Sequence, residues 1–177
     1  IDISVQSGSK YLSGHSDVLI GALSVKDKKL YDKIFHEYYQ LGFHANPQGC
    51  YLAIRGARTL ETRLKQHQEN ALIIADFLES ESKVVEVIYP ALKSFKQYDR
   101  YKKYFTASNG LLTFALDSKY SLTDIEKFLD NLTNFKLGYS WGGFESLAMY
   151  YDYLPEYFSK KYPFPLIRLH VGLDNVN

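Results

Sequence analysis

Hydrophobic and polar positions change period along this chain, and each change marks an element. Residues 1–6 alternate apolar and polar, the two-residue period of a strand, and run into the small Ser7-Gly8-Ser9. After the polar Gly14-His15-Ser16-Asp17, residues 18–25 are apolar almost throughout, which predicts a strand buried on both faces of an α/β sheet. Residues 26–42 predict a helix with Leu30, Ile34, Tyr38 and Leu41 on one face. Pro47, after Asn46, predicts the first turn of a shorter helix that runs through Arg55. From Arg58 to Ser80, Leu60, Leu64, His67, Ala71, Ile74 and Leu78 recur at steps of three and four, a helix long enough to link two domains.

A smaller α+β pattern follows. Residues 84–89 form a β-branched strand closed by Pro90, and residues 110–116 form another. Ser121 and Asp124 cap a helix through Asn131, residues 136–139 make a short strand, and residues 166–171 alternate as the last one. The boundary falls near Gly56. Residues 1–56 then read as the end of one α/β domain, and residues 57–177 as a small α+β domain introduced by the long helix.

Composition narrows the classes of function. The 177 residues carry 21 Lys+Arg against 20 Asp+Glu, a net +1, which leaves no electrostatic footprint for nucleic acid or an anionic membrane. No apolar run approaches the roughly 18 residues of a membrane-spanning helix. The lone cysteine, Cys50, excludes an internal disulfide framework and a multi-cysteine zinc site, and its helical run predicts a buried small hydrophobe. Residues 150–162 are the one biased stretch, rich in tyrosine. The chain opens at Ile1 inside a strand and stops at Asn177 without a closing cap, so the expectation is a portion of a longer protein.

Three places carry candidate chemistry. Ser7-Gly8-Ser9-Lys10 sets two hydroxyls and an amine around a glycine turn, where backbone N–H groups can approach an anion; an exposed surface turn is the alternative. The nucleotide-binding glycine–lysine spacing is absent. Arg168 lies in mid-strand, where a guanidinium needs a paired acid, either a protein carboxylate or a substrate. His170 shares its face and reads as a packing histidine. Tyr139-Ser140-Trp141-Gly142-Gly143 holds the only tryptophan beside a glycine pair, an aromatic corner or a pocket wall. The other histidines show no metal-ligand spacing.

Together these segments resemble one family. Ser7-Gly8-Ser9-Lys10-Tyr11-Leu12-Ser13-Gly14-His15-Ser16-Asp17 is similar to the lysine motif of the pyridoxal-phosphate enzymes of cysteine and methionine metabolism. The order continues through Cys50-Tyr51-Leu52, Arg55-Gly56-Ala57-Arg58-Thr59-Leu60, Arg63-Leu64 and Asn109-Gly110-Leu111. It ends with Leu166-Ile167-Arg168-Leu169-His170-Val171-Gly172-Leu173. Tyr139-Ser140-Trp141-Gly142-Gly143 resembles the bacterial cystathionine β-lyase branch, where γ-cleaving relatives usually carry Glu-Ser-Leu-Gly-Gly.

The resemblance implies an α/β, fold-type-I transferase architecture: the end of the large cofactor domain followed by the small C-terminal domain. It implies that Lys10 joins pyridoxal 5'-phosphate covalently and that Ser7 and Ser9 hold its phosphate. Ser9 stands where relatives usually have Thr. Arg168 would clamp the α-carboxylate of the substrate, with Tyr139, Ser140 and Trp141 lining that pocket; Pro165 departs from the small polar residue often found there. The expected reaction is α,β-elimination of cystathionine, a small amino-acid substrate, to homocysteine, pyruvate and ammonia. A γ-lyase or γ-synthase type, a cysteine desulfhydrase, or a non-catalytic oligomerisation fragment are the alternatives. The expected setting is a cytoplasmic homo-oligomer, a dimer of dimers, with no metal, nucleic acid or membrane partner. The family's other cofactor contacts would precede Ile1, so the piece alone is expected to be inactive.

Overall fold

The structure is a computed structural model that describes residues 1–151 and 154–176. It divides into two units, Ile1–Leu60 and Glu61–Asn177.

In the first unit, β1 (Ile3–Ser7) pairs antiparallel with β2 (Gly21–Val25), Ile3 opposite Val25 and Ser7 opposite Gly21. Helix α1 (Lys28–Gln40) starts at Asp27, whose carboxylate accepts the Leu30 N–H. Helix α2 (Pro47–Ala57) starts the same way: Asn46 accepts the Gly49 N–H, and Pro47 occupies the first turn, where a missing N–H costs nothing.

Two expectations change here. The run 18–25 joins a ladder only from Gly21, has β1 as its one partner strand among the described residues, and leaves Leu19 and Leu23 exposed. Its apolar residues are written for burial against a layer that the described residues of this unit do not supply. Cys50 is exposed rather than buried. The residues α2 buries are Gly49 and Gly56, and Cys50 stands about 100° round the helix from Gly49.

The second unit opens with α3 (Leu60–Ser80), then β3 (Val84–Ile88), α4 (Tyr98–Tyr104), β4 (Leu111–Leu116) and α5 (Leu122–Asp130). It continues with β5 (Lys136–Leu137), β6 (Leu147–Tyr150), α6 (Glu156–Lys161) and β7 (Leu166–His170). The sheet order is β3-β4-β7-β6-β5, antiparallel except between β5 and β6. The core gathers Ala71, Ala75 and Leu78 of α3 and Ile125 and Leu129 of α5. From the sheet it takes Leu112, Phe114, Ile167 and Leu169.

Strand β7 is central and buried at every residue. Ile167 and Leu169 enter the core, so alternation turns Arg168 and His170 to the other side. Helix α5 begins with a reciprocal cap: Ser121 accepts the Asp124 N–H while the Asp124 carboxylate accepts the Ser121 N–H. Among the described residues no helix is long and apolar enough to cross a membrane.

Three elements carry no clear sequence signal: α4, β6 and α6. Helix α4 buries nothing and is held by local stacking, Tyr98 on Tyr101 and Tyr101 on Phe105. Within the tyrosine-rich stretch 150–162, Asp152 and Tyr153 lie outside the described residues.

Candidate active-site residues

In the first unit, the chain leaves β1 at Ser7 and turns over residues 8–13. The Lys10 N–H donates to Ser7 O at 3.2 Å, Ser13 N–H to Gly8 O at 3.0 Å and Gly14 N–H to Lys10 O at 2.8 Å. Ser7 is exposed, and Ser9 and Lys10 are half-buried. The Ser9 hydroxyl is engaged in both directions: it accepts the Ile20 N–H at 2.8 Å and donates to Ile20 O at 3.2 Å. Gly8 is confined as well, since a Cβ there would meet Ile20 Cγ2 at 2.9 Å. The turn is thus fastened to the segment entering β2, with Lys10 at its middle. An apolar cavity of about 680 Å³ in the same unit is lined by Leu19, Ile20, Tyr31, Phe35 and Tyr38, and includes none of Ser7, Ser9 or Lys10.

In the second unit, Arg168 Nη2 donates to the carbonyls of Tyr139 at 2.7 Å and Ser140 at 3.4 Å. Its Nη1 lies 3.4 Å from the Tyr151 hydroxyl. The guanidinium carbon stands 5.2 Å from the Trp141 ring centre and 5.9 Å from that of Tyr151, a cation flanked by two aromatic rings. Among the described residues no carboxylate pairs with Arg168, and its Nε is buried without a partner. An arginine held in mid-sheet by carbonyls, a phenol hydroxyl and aromatic rings keeps donor capacity for an acid from outside.

The segment 139–146 that surrounds Arg168 is bound to β7 and the residues after it. His170 accepts the Gly142 N–H at Nε2, 2.9 Å, and donates from Nδ1 to Glu145 O at 3.0 Å. Ser146 Oγ accepts the Gly172 N–H at 2.9 Å and donates to Asp174 Oδ2 at 2.6 Å. Burial pushes the His170 imidazole down to about 4, so it is neutral near pH 7. His67 is displaced downward too, first by burial.

The fold therefore gathers Tyr139, Ser140, Trp141 and Arg168 at one place in the second unit. Ser7, Ser9 and Lys10 lie together in the first. Sequence reading missed Tyr151, which has no spacing relation to Arg168, and it took His170 for packing alone.

Across residues 1–177 the chain matches the family of Cys/Met metabolism PLP-dependent enzymes. The chain belongs to that family. This PLP-dependent chain is 38% identical to the cystathionine beta-lyase of Salmonella typhimurium, over all of this chain and 46% of that protein. It is 42% identical to the cystathionine gamma-lyase of Bos taurus, over 83% of this chain and 36% of that protein. Its fold matches a cystathionine gamma synthase from Xanthomonas oryzae pv. oryzae, solved in complex with aminoacrylate and cysteine. That likeness has a TM-score of 0.88 at 30% identity and covers 98% of this chain and 46% of that one. The chain thus spans less than half the length of these relatives. The family's α/β architecture agrees with the helices and mixed sheet seen here.

The first unit fits the cofactor of such an enzyme in its donor set. Lys10 offers a primary amine for an aldehyde, and Ser7 offers an exposed hydroxyl beside it for a phosphate.

Proposed function

We propose that this chain is part of a carbon–sulfur lyase that cleaves cystathionine by α,β-elimination, giving homocysteine, pyruvate and ammonia with uptake of water. The observation that carries this reading is the surround of Arg168: a guanidinium flanked by Trp141 and Tyr151, without a protein carboxylate among the described residues, and with its Nε–H unspent. Such a group suits the α-carboxylate of an amino acid. The Tyr139-Ser140-Trp141-Gly142-Gly143 form supports β- over γ-cleavage.

When bound, pyridoxal phosphate supplies an electron sink for charge developing at the substrate Cα. The chain's residues do the rest. Ser7 holds the phosphate by its exposed hydroxyl. Ser9 keeps the 2.8 Å bond from the Ile20 N–H and turns its proton from the longer 3.2 Å contact toward the phosphate. The Lys10 amine takes the α-proton and returns a proton to the departing homocysteine sulfur. Arg168 fixes the α-carboxylate, displacing the 3.4 Å contact with the Tyr151 hydroxyl, the longest of its set together with that to Ser140. Its contribution is orientation. Tyr139, Ser140 and Trp141 line the carboxylate pocket.

A second reading, γ-cleavage to cysteine and α-ketobutyrate, is favoured by the 42% identity to the bovine γ-lyase. The working form in either case is a cytoplasmic homo-oligomer, a dimer of dimers; of this, exposed Tyr31, Phe35 and Tyr38 of α1 support only association through an apolar face.

Keto-acid analysis of the cofactor-loaded enzyme with L-cystathionine tests the proposal. Pyruvate is expected; α-ketobutyrate would select the second reading, and no keto acid would reject both. Lys10→Ala should abolish turnover and the visible absorbance of lysine-bound cofactor. Trp141 adds a binding readout: the emission that Trp141→Phe removes should change on adding cystathionine and not do so in Arg168→Ala.

A further inference from the structure

Residues 138–146 link β5 to β6 without regular structure of their own, and two side chains of β7 hold them. His170 is completely buried and reaches the loop at two backbone atoms, the Gly142 N–H and the Glu145 carbonyl. An amide N–H can only donate and a carbonyl can only accept. The imidazole must therefore be the neutral tautomer protonated at Nδ1. Gly142 has φ +82°, so the chain reverses where His170 grips it. Two residues earlier on the same face of β7, Arg168 holds the Tyr139 and Ser140 carbonyls, on the near side of that reversal. The groups around His170 include the His67 ring from α3, 5.2 Å away between centres, the backbone and the carboxylate charge of Glu145, and Arg168.

We propose that His170 is a positioning residue for the carboxylate site: by accepting the Gly142 N–H it fixes the turn that places the Tyr139 and Ser140 carbonyls. Those carbonyls in turn set the direction in which Arg168 presents its guanidinium. This rests on Arg168 being the carboxylate partner proposed above. His170 touches no reacting atom; it acts through the loop.

Two substitutions separate its bonds. In His170→Gln the side-chain oxygen can stand where Nε2 stands and accept from Gly142. In His170→Asn the amide can keep the bond to Glu145 and loses that to Gly142. With L-cystathionine and the cofactor-loaded enzyme, His170→Asn should raise KM about tenfold with kcat nearly kept, while His170→Gln stays within about threefold of the parent. Equal effects of the two variants, or a loss confined to kcat, would overturn the proposal. Arg168→Ala is measured beside them. If it leaves KM unchanged the carboxylate reading itself fails, and an activity-free measurement then decides His170. That measurement is nitrogen-15 NMR of the chain. Expected are a His170 ring protonated at Nδ1 only and an Arg168 Nε–H resonance that moves in His170→Asn but not in His170→Gln. A ring protonated at Nε2 overturns the proposal without any variant, even where a substitution prevents folding.

Discussion

Gly56 of α2 abuts the backbone of Ser13, in the turn that carries Lys10: a Cβ on residue 56 would stand 2.0 Å from Ser13 O and 2.6 Å from its carbonyl carbon. The obstacle is main chain, which cannot rotate away as a side chain can. Either α2 or the turn must shift. Gly56→Ala should therefore destabilise the first unit by about 3 kcal/mol or more. If Lys10 holds the cofactor as proposed, it should also lower cofactor occupancy; chemical denaturation reads the first effect and visible absorbance the second. Gly21→Ala is the control, because a Cβ there meets nothing nearer than Gln6 O at 4.0 Å, and its effect should stay within about 1 kcal/mol.

Ser9 fastens the same turn by a different means. Its hydroxyl serves both the N–H and the C=O of Ile20; in Ser9→Ala the carbonyl keeps the Ser9 backbone N–H at 3.1 Å, but the partly buried Ile20 N–H loses its partner. A cost of about 1–3 kcal/mol follows, together with weaker cofactor binding. Ser9→Thr keeps the hydroxyl and should retain both. Urea denaturation and cofactor titration of the two variants distinguish hydroxyl loss from the change of size.

Acid should weaken the second unit through His170. The folded imidazole is pushed down to about 4 by burial, while the unfolded chain protonates near the ordinary histidine value of about 6.5. Between these values the unfolded chain binds the extra proton, so stability is full above about pH 6.5 and falls as the pH drops toward 4. The loss is about 3 kcal/mol from this group, with His67 adding in the same direction. Urea midpoints measured from pH 7 to 4.5 check it. His170→Gln, which does not titrate, should flatten the slope, whereas an unchanged slope would contradict the assignment.

Asn70 of α3 joins the long helix to the residues that follow β7. Its Nδ2 donates to the carbonyls of Gly172 at 3.0 Å and Asp174 at 2.9 Å, and its Oδ1 accepts from Gln66 at 2.8 Å. At 2% exposure it makes these bonds away from bulk water. Asn70→Ala should cost about 2–4 kcal/mol. Asn70→Asp, which cannot donate to either carbonyl, should be at least as harmful at pH 7 by the same denaturation assay.

Local chemistry was legible wherever a short stretch decides its own structure. The steps of three and four through Leu60, Leu64, His67 and Ala71, the Ser121–Asp124 cap and Pro47 after Asn46 each act within one or two turns, and the elements appear where they point. The lysine motif and the Arg168 strand were legible because residue order alone carries a family resemblance. Where local stacking rather than an apolar stripe builds a helix, as with Tyr98, Tyr101 and Phe105 in α4, the pattern had nothing to report.

The sequence by itself determined most of the elements, the family and the candidate site residues. Tertiary structure alone decided what those residues touch. Met149 lies opposite Arg168 and Leu147 opposite His170 in the β6–β7 ladder, and this register brings residues 139–145 onto side chains more than twenty positions later. It decided that Ser9 holds Ile20, that Cys50 faces outward, and that Tyr151 stands beside Arg168. The reason is physical. A helix period or a cap is set by neighbours a few bonds away, but a contact across a sheet depends on pairing register and strand order, which no local segment encodes.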